Sequence, residues 1–228
     1  MLTMQEPQAI AVSENKQRSL KLFLKGFTIM SANVLQHLKN RRTIYALDRD
    51  VKLSNDELVR LIQNTIKQAP SSFNSQSSRA VILLGKHQDR VWEIAKETLK
   101  AIVPADAYPA TDAKLSGFQA AYGTVLFYED QDVVTDLQEK FAPYAENFPI
   151  WSEHSTGMAQ LAVWTALAEH GIGASLQHYN PLIDDKVQAE WDIPASWKLR
   201  AQMPFGSIIN PAGEKEYMDD KDRFRVFA

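Results

Sequence analysis

Ala69-Pro70-Ser71-Ser72-Phe73-Asn74-Ser75-Gln76-Ser77 is followed by Ala80-Val81-Ile82-Leu83-Leu84-Gly85, and the junction of these two stretches decides how the chain is built. Pro70 cannot continue a helix and biases the residue before it towards extended backbone, so a helix ends here. The residues from Ser71 to Ser77 are mostly short hydroxyl and amide side chains. Such residues bond a planar polar ligand, or cap their own backbone in a helix-terminating turn. The run from Ala80 to Leu84 is apolar throughout and stops at Gly85, which predicts a short strand buried on both faces.

Working outward, Ser54 followed by Glu57 forms a capping box that opens the preceding helix, and Leu58, Leu61, Ile62 and Ile66 share one of its faces. Earlier still, Val34, Leu35 and Leu38 mark a short helical stripe over 33–39 that delivers Arg41 and Arg42 at its end. Beyond Gly85, the spacing predicts a helix over 87–102 with Val91, Ile94, Ala95, Leu99 and Ile102 inward. Thr124 to Tyr128 reads as a second buried strand. A long helix follows over 152–170, with Gly157, Ala159, Ala162 and Ala166 suited to close approach of another helix or subunit. Gly171 ends it as a C′ glycine. Ala174 to Gln177 and 198–209 read as further strands, and the alternating tail Arg223-Phe224-Arg225-Val226-Phe227 reads as an edge strand or a swapped arm. Strands interleaved with helices without regular β-α-β spacing make the fold α+β, not a doubly wound sheet.

The bulk numbers narrow the classes. At 228 residues, 45% hydrophobic and 23% charged, the chain is an ordinary globular one. We expect one domain over 30–228, preceded by an N-terminal extension over 1–29, polar and aperiodic over 1–15, that is disordered or dispensable. The net charge of -3 argues against a nucleic-acid binder. The absence of cysteine removes disulfides, thiolate metal sites, iron–sulfur clusters and thiol nucleophiles, and fits a cytoplasmic location. No apolar run approaches the roughly 18–20 residues of a membrane helix, so no membrane partner is expected.

Arg41-Arg42-Thr43 offers two fixed cationic forks suited to a phosphate, although two arginines at a helix end also complement its dipole. Gly171-Ile172-Gly173 lacks the third glycine of a dinucleotide fingerprint and follows a helix, so it reads as a cap and a tight strand entry. His154, His170 and His178 have no metal-ligand spacing. Phe118, Tyr122, Phe141, Tyr144 and Trp151 either line an apolar slot or belong to the core. Asp219-Asp220-Lys221-Asp222 reads as a solvated turn.

Taken together, four stretches are similar to the FMN-dependent nitroreductase superfamily, in its subgroup of yeast fatty-acid-repression and bacterial copper-induced nitroreductases. They are Arg41 to Leu47, Ala69 to Gln76, Ser175 to Pro181, and Pro211-Ala212-Gly213-Glu214-Lys215-Glu216. The resemblance covers 33–228. It implies a nitroreductase-like sandwich, a mostly antiparallel sheet flanked by helices, in an intertwined homodimer with FMN at the subunit interface. By the same resemblance, Arg41 and Thr43 reach the FMN phosphate and ribityl chain, with Arg42 near the pyrimidine edge or phosphate. Pro70, Ser71 and Ser72 border the flavin ring from the partner subunit, and Asn74 and Gln76 order that loop or reach the ring's polar edge. Backbone N–H groups of Leu176 and Gln177 approach flavin N5 and O4, and Arg223 and Arg225, on one face of a strand, clamp the phosphate. The chain departs from the wider family at Ser77-Ser78, where many members have Pro-Trp, and at Tyr45, where several have lysine. Without that lysine, Arg42 or a helix N-terminus is left to stabilise charge at the N1/O2 end.

The implied activity is hydride transfer from NAD(P)H through FMN to nitroaromatic or quinone acceptors by a ping-pong mechanism. The flavin carries the redox chemistry and no catalytic side chain or metal is required. The competing expectation is a flavin-binding stress-response or lipid-signalling regulator with little turnover.

Overall fold

The computed structural model describes residues 34–228; the extension expected over 1–29 lies outside the described residues. The chain divides into two compact units, one ending at Arg41 and one running from Arg42 to Ala228. In the first, helix α1 spans 34–40, and the Arg41 N–H donates to the His37 carbonyl at 3.0 Å.

The second unit is built on an antiparallel sheet. Strands β1 (Leu47–Asp48), β2 (Ser78–Leu84), β3 (Gly123–Asp130), β4 (Ile172–Ala174) and β5 (Trp197–Ile208) join in the order β1-β5-β3-β2, with β4 also on β5. Every paired strand runs antiparallel, as an α+β sandwich requires. Gln202 of β5 pairs with Leu126 on one side and with Gln177, beyond the end of β4, on the other. β2 and the β4 segment therefore lie on opposite sides of the β5–β3 pair.

Alternation along β3 feeds two cores, because successive strand residues face opposite ways. Leu126 and Tyr128 join Trp92, Ile94, Leu115, Phe118 and Val187 from α3 (Lys86–Lys100), α4 (Tyr108–Gln119) and α7 (Asp184–Trp191). Val125 and Phe127 join Leu58, Ile62, Val163 and Leu167 from α2 (Asn55–Gln68) and α6 (Phe148–Glu169). Burial on both faces explains why β3 is apolar along most of its length.

β2 is different. It was expected to be buried on both faces, yet of its residues only Leu83 is fully buried, because the strand ends the sheet's order. Helix α3 stops at Lys100, with Ala101 as its cap, so Ile102 falls past the buried face and is 57% exposed instead of inward. α2 begins with the expected capping box: the Glu57 N–H donates to Ser54 Oγ, and Glu57 Oε2 accepts from the Ser54 N–H at 2.8 Å. It ends at Gln68 before extended Ala69. Gly171 caps α6 with a φ of +70°.

The tail contradicts its expectation. Asp220–Arg223 form a short helical turn, α8, capped by the Asp219 side chain, and no strand follows it among the described residues. Asp219 and Asp220 favour this turn because a capping carboxylate satisfies the N–H of Lys221 at 3.0 Å.

Candidate functional site

Most of the expected site residues fall into two groups, one around β4 and one in the loop between α2 and β2, on opposite sides of the β5–β3 pair. The first gathers around β4. Thr43 forms a parallel bridge with Ala174, and the Ile44 N–H donates to the Ala174 carbonyl at 2.9 Å. Gly173 permits this approach: a Cβ there would lie 2.8–3.0 Å from Ile208, Leu47 and Ile44. Arg42, beside Thr43, donates from Nη2 to the Gly213 carbonyl at 2.8 Å. That contact ties the guanidinium to the 211–216 segment and leaves its other donors available.

The same neighbourhood corrects one expectation. Gln177 was expected to offer its backbone N–H to a ligand, but that N–H donates to Gln202 at 2.7 Å. The Ser175 N–H donates to Pro204 at 3.2 Å. Backbone donors alternate in direction along an extended chain, so the intervening Leu176 N–H points to the other edge, the side on which Thr43 pairs. Of the two N–H groups, only Leu176's is directed outward. The Gln177 side chain is buried and donates to Ser175 Oγ at 3.0 Å.

The second group is the loop after α2. Ser72–Asn74 make one turn of 3-10 helix, and Phe73, Asn74 and Gln76 all take positive φ, at 56°, 52° and 51°. Asparagine tolerates this region, whereas phenylalanine there is a true outlier. The loop closes on itself: the Asn74 N–H donates to the Ser71 carbonyl at 3.0 Å and the Gln76 N–H to Ser71 Oγ at 2.9 Å. Phe73 is lifted out of the loop towards Phe141 and Phe148, with ring centroids 4.7 and 5.5 Å away. Phe141 and Trp151 thus belong to an aromatic cluster at the start of α6, whereas Phe118 is core.

Beside this loop lies a cavity of about 400 Å³ lined by Ala69, Ser71, Gln76, Arg79, Ser155 and Ala159 among others. Arg79 and Ser155 were not anticipated. Arg79 directly follows the loop in sequence, and Ser155 shares α6 with the small residues that were. Arg79 donates to Asp130 Oδ2 at 2.9 Å and to the Gln76 carbonyl.

Arg223 and Arg225 join neither group as expected. Arg223 lies in α8, its guanidinium 5.5 Å from the Phe224 ring, and Arg225 donates to the carbonyls of Lys221 and Phe224. They are not two residues on one face of a strand, because the capped turn breaks the alternation.

One fully buried carboxyl, Glu129, and one half-buried carboxyl, Asp184, have raised pKa values. Burial pushes Glu129 above the usual carboxylate range, against hydrogen bonds from Ser77 and Ser78. Asp184 is raised for the same reason, and the neighbouring Tyr128 hydroxyl is raised by burial and by Asp184.

An antiparallel sheet between two helical layers thus carries a guanidinium, a hydroxyl and an outward backbone donor along its β4 edge. The nitroreductase family model matches residues 38–207, and the chain belongs to that family of oxidoreductases. It is similar to HBN1 of Saccharomyces cerevisiae, 38% identical over 190 residues that cover 82% of this chain and 94% of HBN1. FRM2, a nitroreductase of the same yeast, is 34% identical over 83% of this chain and 95% of its own length. Among solved structures, the nitroreductase CinD from Lactococcus lactis in complex with nicotinic acid is 55% identical. It superposes with a TM-score of 0.80 over 86% of this chain and all of its own. CinD has also been solved with chloramphenicol and with 4-nitrophenol.

Proposed function

We propose that the chain is an FMN-dependent reductase that takes hydride from NAD(P)H and passes it to nitroaromatic or quinone acceptors in ping-pong order. The observation that carries this reading is the Thr43–Ala174 bridge, which lays the Arg42-Thr43 segment along the same edge of β4 as the outward Leu176 N–H, two residues further on. The donor set fits FMN: a guanidinium and a hydroxyl for the phosphate and ribityl chain, and a backbone N–H for the polar edge of the ring. Arg41 is included on its sequence position next to Arg42 alone, and Arg225 as a surface cation of the tail. Bound FMN supplies the hydride chemistry; the protein binds it, orients it and sets its electrostatics.

The reading includes a homodimer. From Gln177 through Gln202 and Leu126 to Val81 is three strand spacings, about 14 Å. The Pro70–Gln76 loop starts from the far side, so it borders a flavin held at β4 most simply when that flavin belongs to a second copy. Exposed Ile150, Met158 and Leu161 on α6 favour such an interface, since a helix apolar on all sides is normally covered. The aromatic ligands of CinD support a planar aromatic acceptor. The cysteine-free sequence supports a cytoplasmic location; among the described residues no helix is long and apolar enough to cross a membrane.

Purified protein should be yellow and should oxidise NADH or NADPH when given 4-nitrobenzoate or menadione. A yellow protein without turnover would favour the regulator instead, and a colourless one that takes up no added FMN would overturn the cofactor assignment.

A further inference from the structure

We infer that Glu129 is a positioning residue: through the hydroxyls of Ser77 and Ser78, its buried carboxylate fixes the exit of the 70–76 loop and so the wall that this loop lends to the flavin site. The inference rests on the flavin reading above. Glu129 is completely buried in β3, opposite Ser78 of β2. Ser78 Oγ donates to Glu129 Oε1, and the Ser77 hydroxyl acts with it to favour the charged form of the same carboxyl. Next to it, the Asp130 N–H donates to the Ser77 carbonyl at 3.0 Å, and Arg79 links Asp130 to the Gln76 carbonyl. Four successive residues, Gln76 to Arg79, are thus clamped to Glu129 and Asp130.

A clamp is what this loop needs. Phe73, Asn74 and Gln76 hold left-handed backbone that a free chain would relax, and the loop's internal bonds close on Ser71 and Ser72, with one long contact from the Gln76 amide to the Asn74 carbonyl. The Ser77-Ser78 pair, which departs from the wider family, supplies the two hydroxyls. The sheet contributes a second device. The register between β3 and β5 moves from Phe127 opposite Ala201 to Tyr128 opposite Leu199, so Arg200 is the extra residue of a bulge and its side chain is re-aimed. Arg200 forms an ion pair with Glu153 of α6. The groups facing Glu129 are then Ser77 just before β2, Ser78 from β2, Glu153 from α6 and Arg200 from β5. Glu129 Oε2 has no partner among the described residues. A fully buried carboxyl with one free oxygen is costly in a core, and here its bonds go to the residues that end the loop.

The test is an FMN titration of full-length apoprotein, with thermal unfolding of the same samples, for wild type, Glu129→Gln, Glu129→Ala and the Ser77→Ala/Ser78→Ala pair. Glutamine keeps an acceptor for one hydroxyl, so its FMN affinity should stay within about two-fold of wild type. The alanine variant and the serine pair should each bind FMN about ten-fold more weakly or worse. Should Glu129→Ala fail to fold, the serine pair carries the test. Variants that lose thermal stability but keep wild-type FMN affinity would reduce Glu129 to a structural residue and overturn the inference. Wild-type protein that binds no FMN would overturn the flavin reading itself, and this role with it.

Discussion

The β4 edge and the loop after α2 hold their candidate ligand groups by opposite means. At β4, the backbone itself does the positioning: Thr43 sits in a bridge, Ser175 and Gln177 are bonded to β5, Gly173 leaves room for the side chains of Ile208, Leu47 and Ile44, and Gly206 lets the Asp48 backbone come close. A Cβ on Gly206 would lie 2.3 Å from the Asp48 carbonyl oxygen. The loop has no ladder of its own. It keeps three left-handed residues in place through Ser71, the aromatic contacts of Phe73 and the Glu129–Asp130 clamp. The first region is rigid because its main chain belongs to the sheet; the second is ordered by side chains, which is how a segment can be shaped without a strand partner.

The largest effect should come from the rigid side. Gly206→Ala forces backbone apart at Asp48 and should destabilise the fold by about 3 kcal/mol, read from urea midpoints; an unchanged midpoint would mean that the close approach does not hold the β4 edge. Next, Arg42→Ala removes a cation already oriented by Gly213 and should weaken FMN binding roughly ten- to hundred-fold while leaving stability nearly intact. Equal FMN affinity would move phosphate recognition elsewhere.

On the loop side the expected changes are smaller. Gln76→Gly removes a side chain from left-handed backbone and should stabilise the protein by up to about 1 kcal/mol, a gain that no glycine substitution at Leu176 would give. A lower midpoint would show that the Gln76 amide outweighs its backbone strain. The last effect depends on pH. Glu129 in the folded chain lies above its ordinary value of 4.5 because it is buried, so between that value and the folded one the folded state binds more protons than the unfolded state. Its contribution to stability therefore falls as pH rises through that window. The stability of Glu129→Gln relative to wild type should accordingly grow with pH, and a difference constant from about pH 4 to pH 8 would contradict the assignment.

Much of this fold was legible because local signals agreed with tertiary ones. The Ser54–Glu57 box, the Pro70 stop, the Gly171 cap and the apolar run of β3 each have one local cause, and the structure shows each. Helices α4, α7 and α5 (Gln131–Lys140) were not anticipated. α4 carries Pro109 and Gly117 and α7 is only 8 residues long, so neither shows a firm stripe. α5 did carry a sign, the capping Asp130 whose carboxylate accepts from the Asp132 N–H. The tail misled because alternation in an exposed segment has no core to read it out.

At the candidate site, the types of group could be read from sequence, while their directions could not. That Leu176 rather than Gln177 points its N–H outward depends on the β5 pairing, and that Ser77 and Ser78 serve Glu129 depends on β2 lying against β3. Neither fact is local to the residues concerned.

The central claim, a flavin site made from the β4 edge of one copy and the loop of another, is tested most directly by complementation. One copy carries Arg42→Ala and the other carries Ser71→Ala with Ser72→Ala, each with a different affinity tag, and the mixed dimer is isolated. A composite site predicts that the mixed dimer regains one wild-type FMN site per dimer, because one of its two sites then holds both intact halves. If each chain instead builds its site alone, both sites of the mixed dimer stay damaged, and FMN binding no better than in the parent variants would contradict the account.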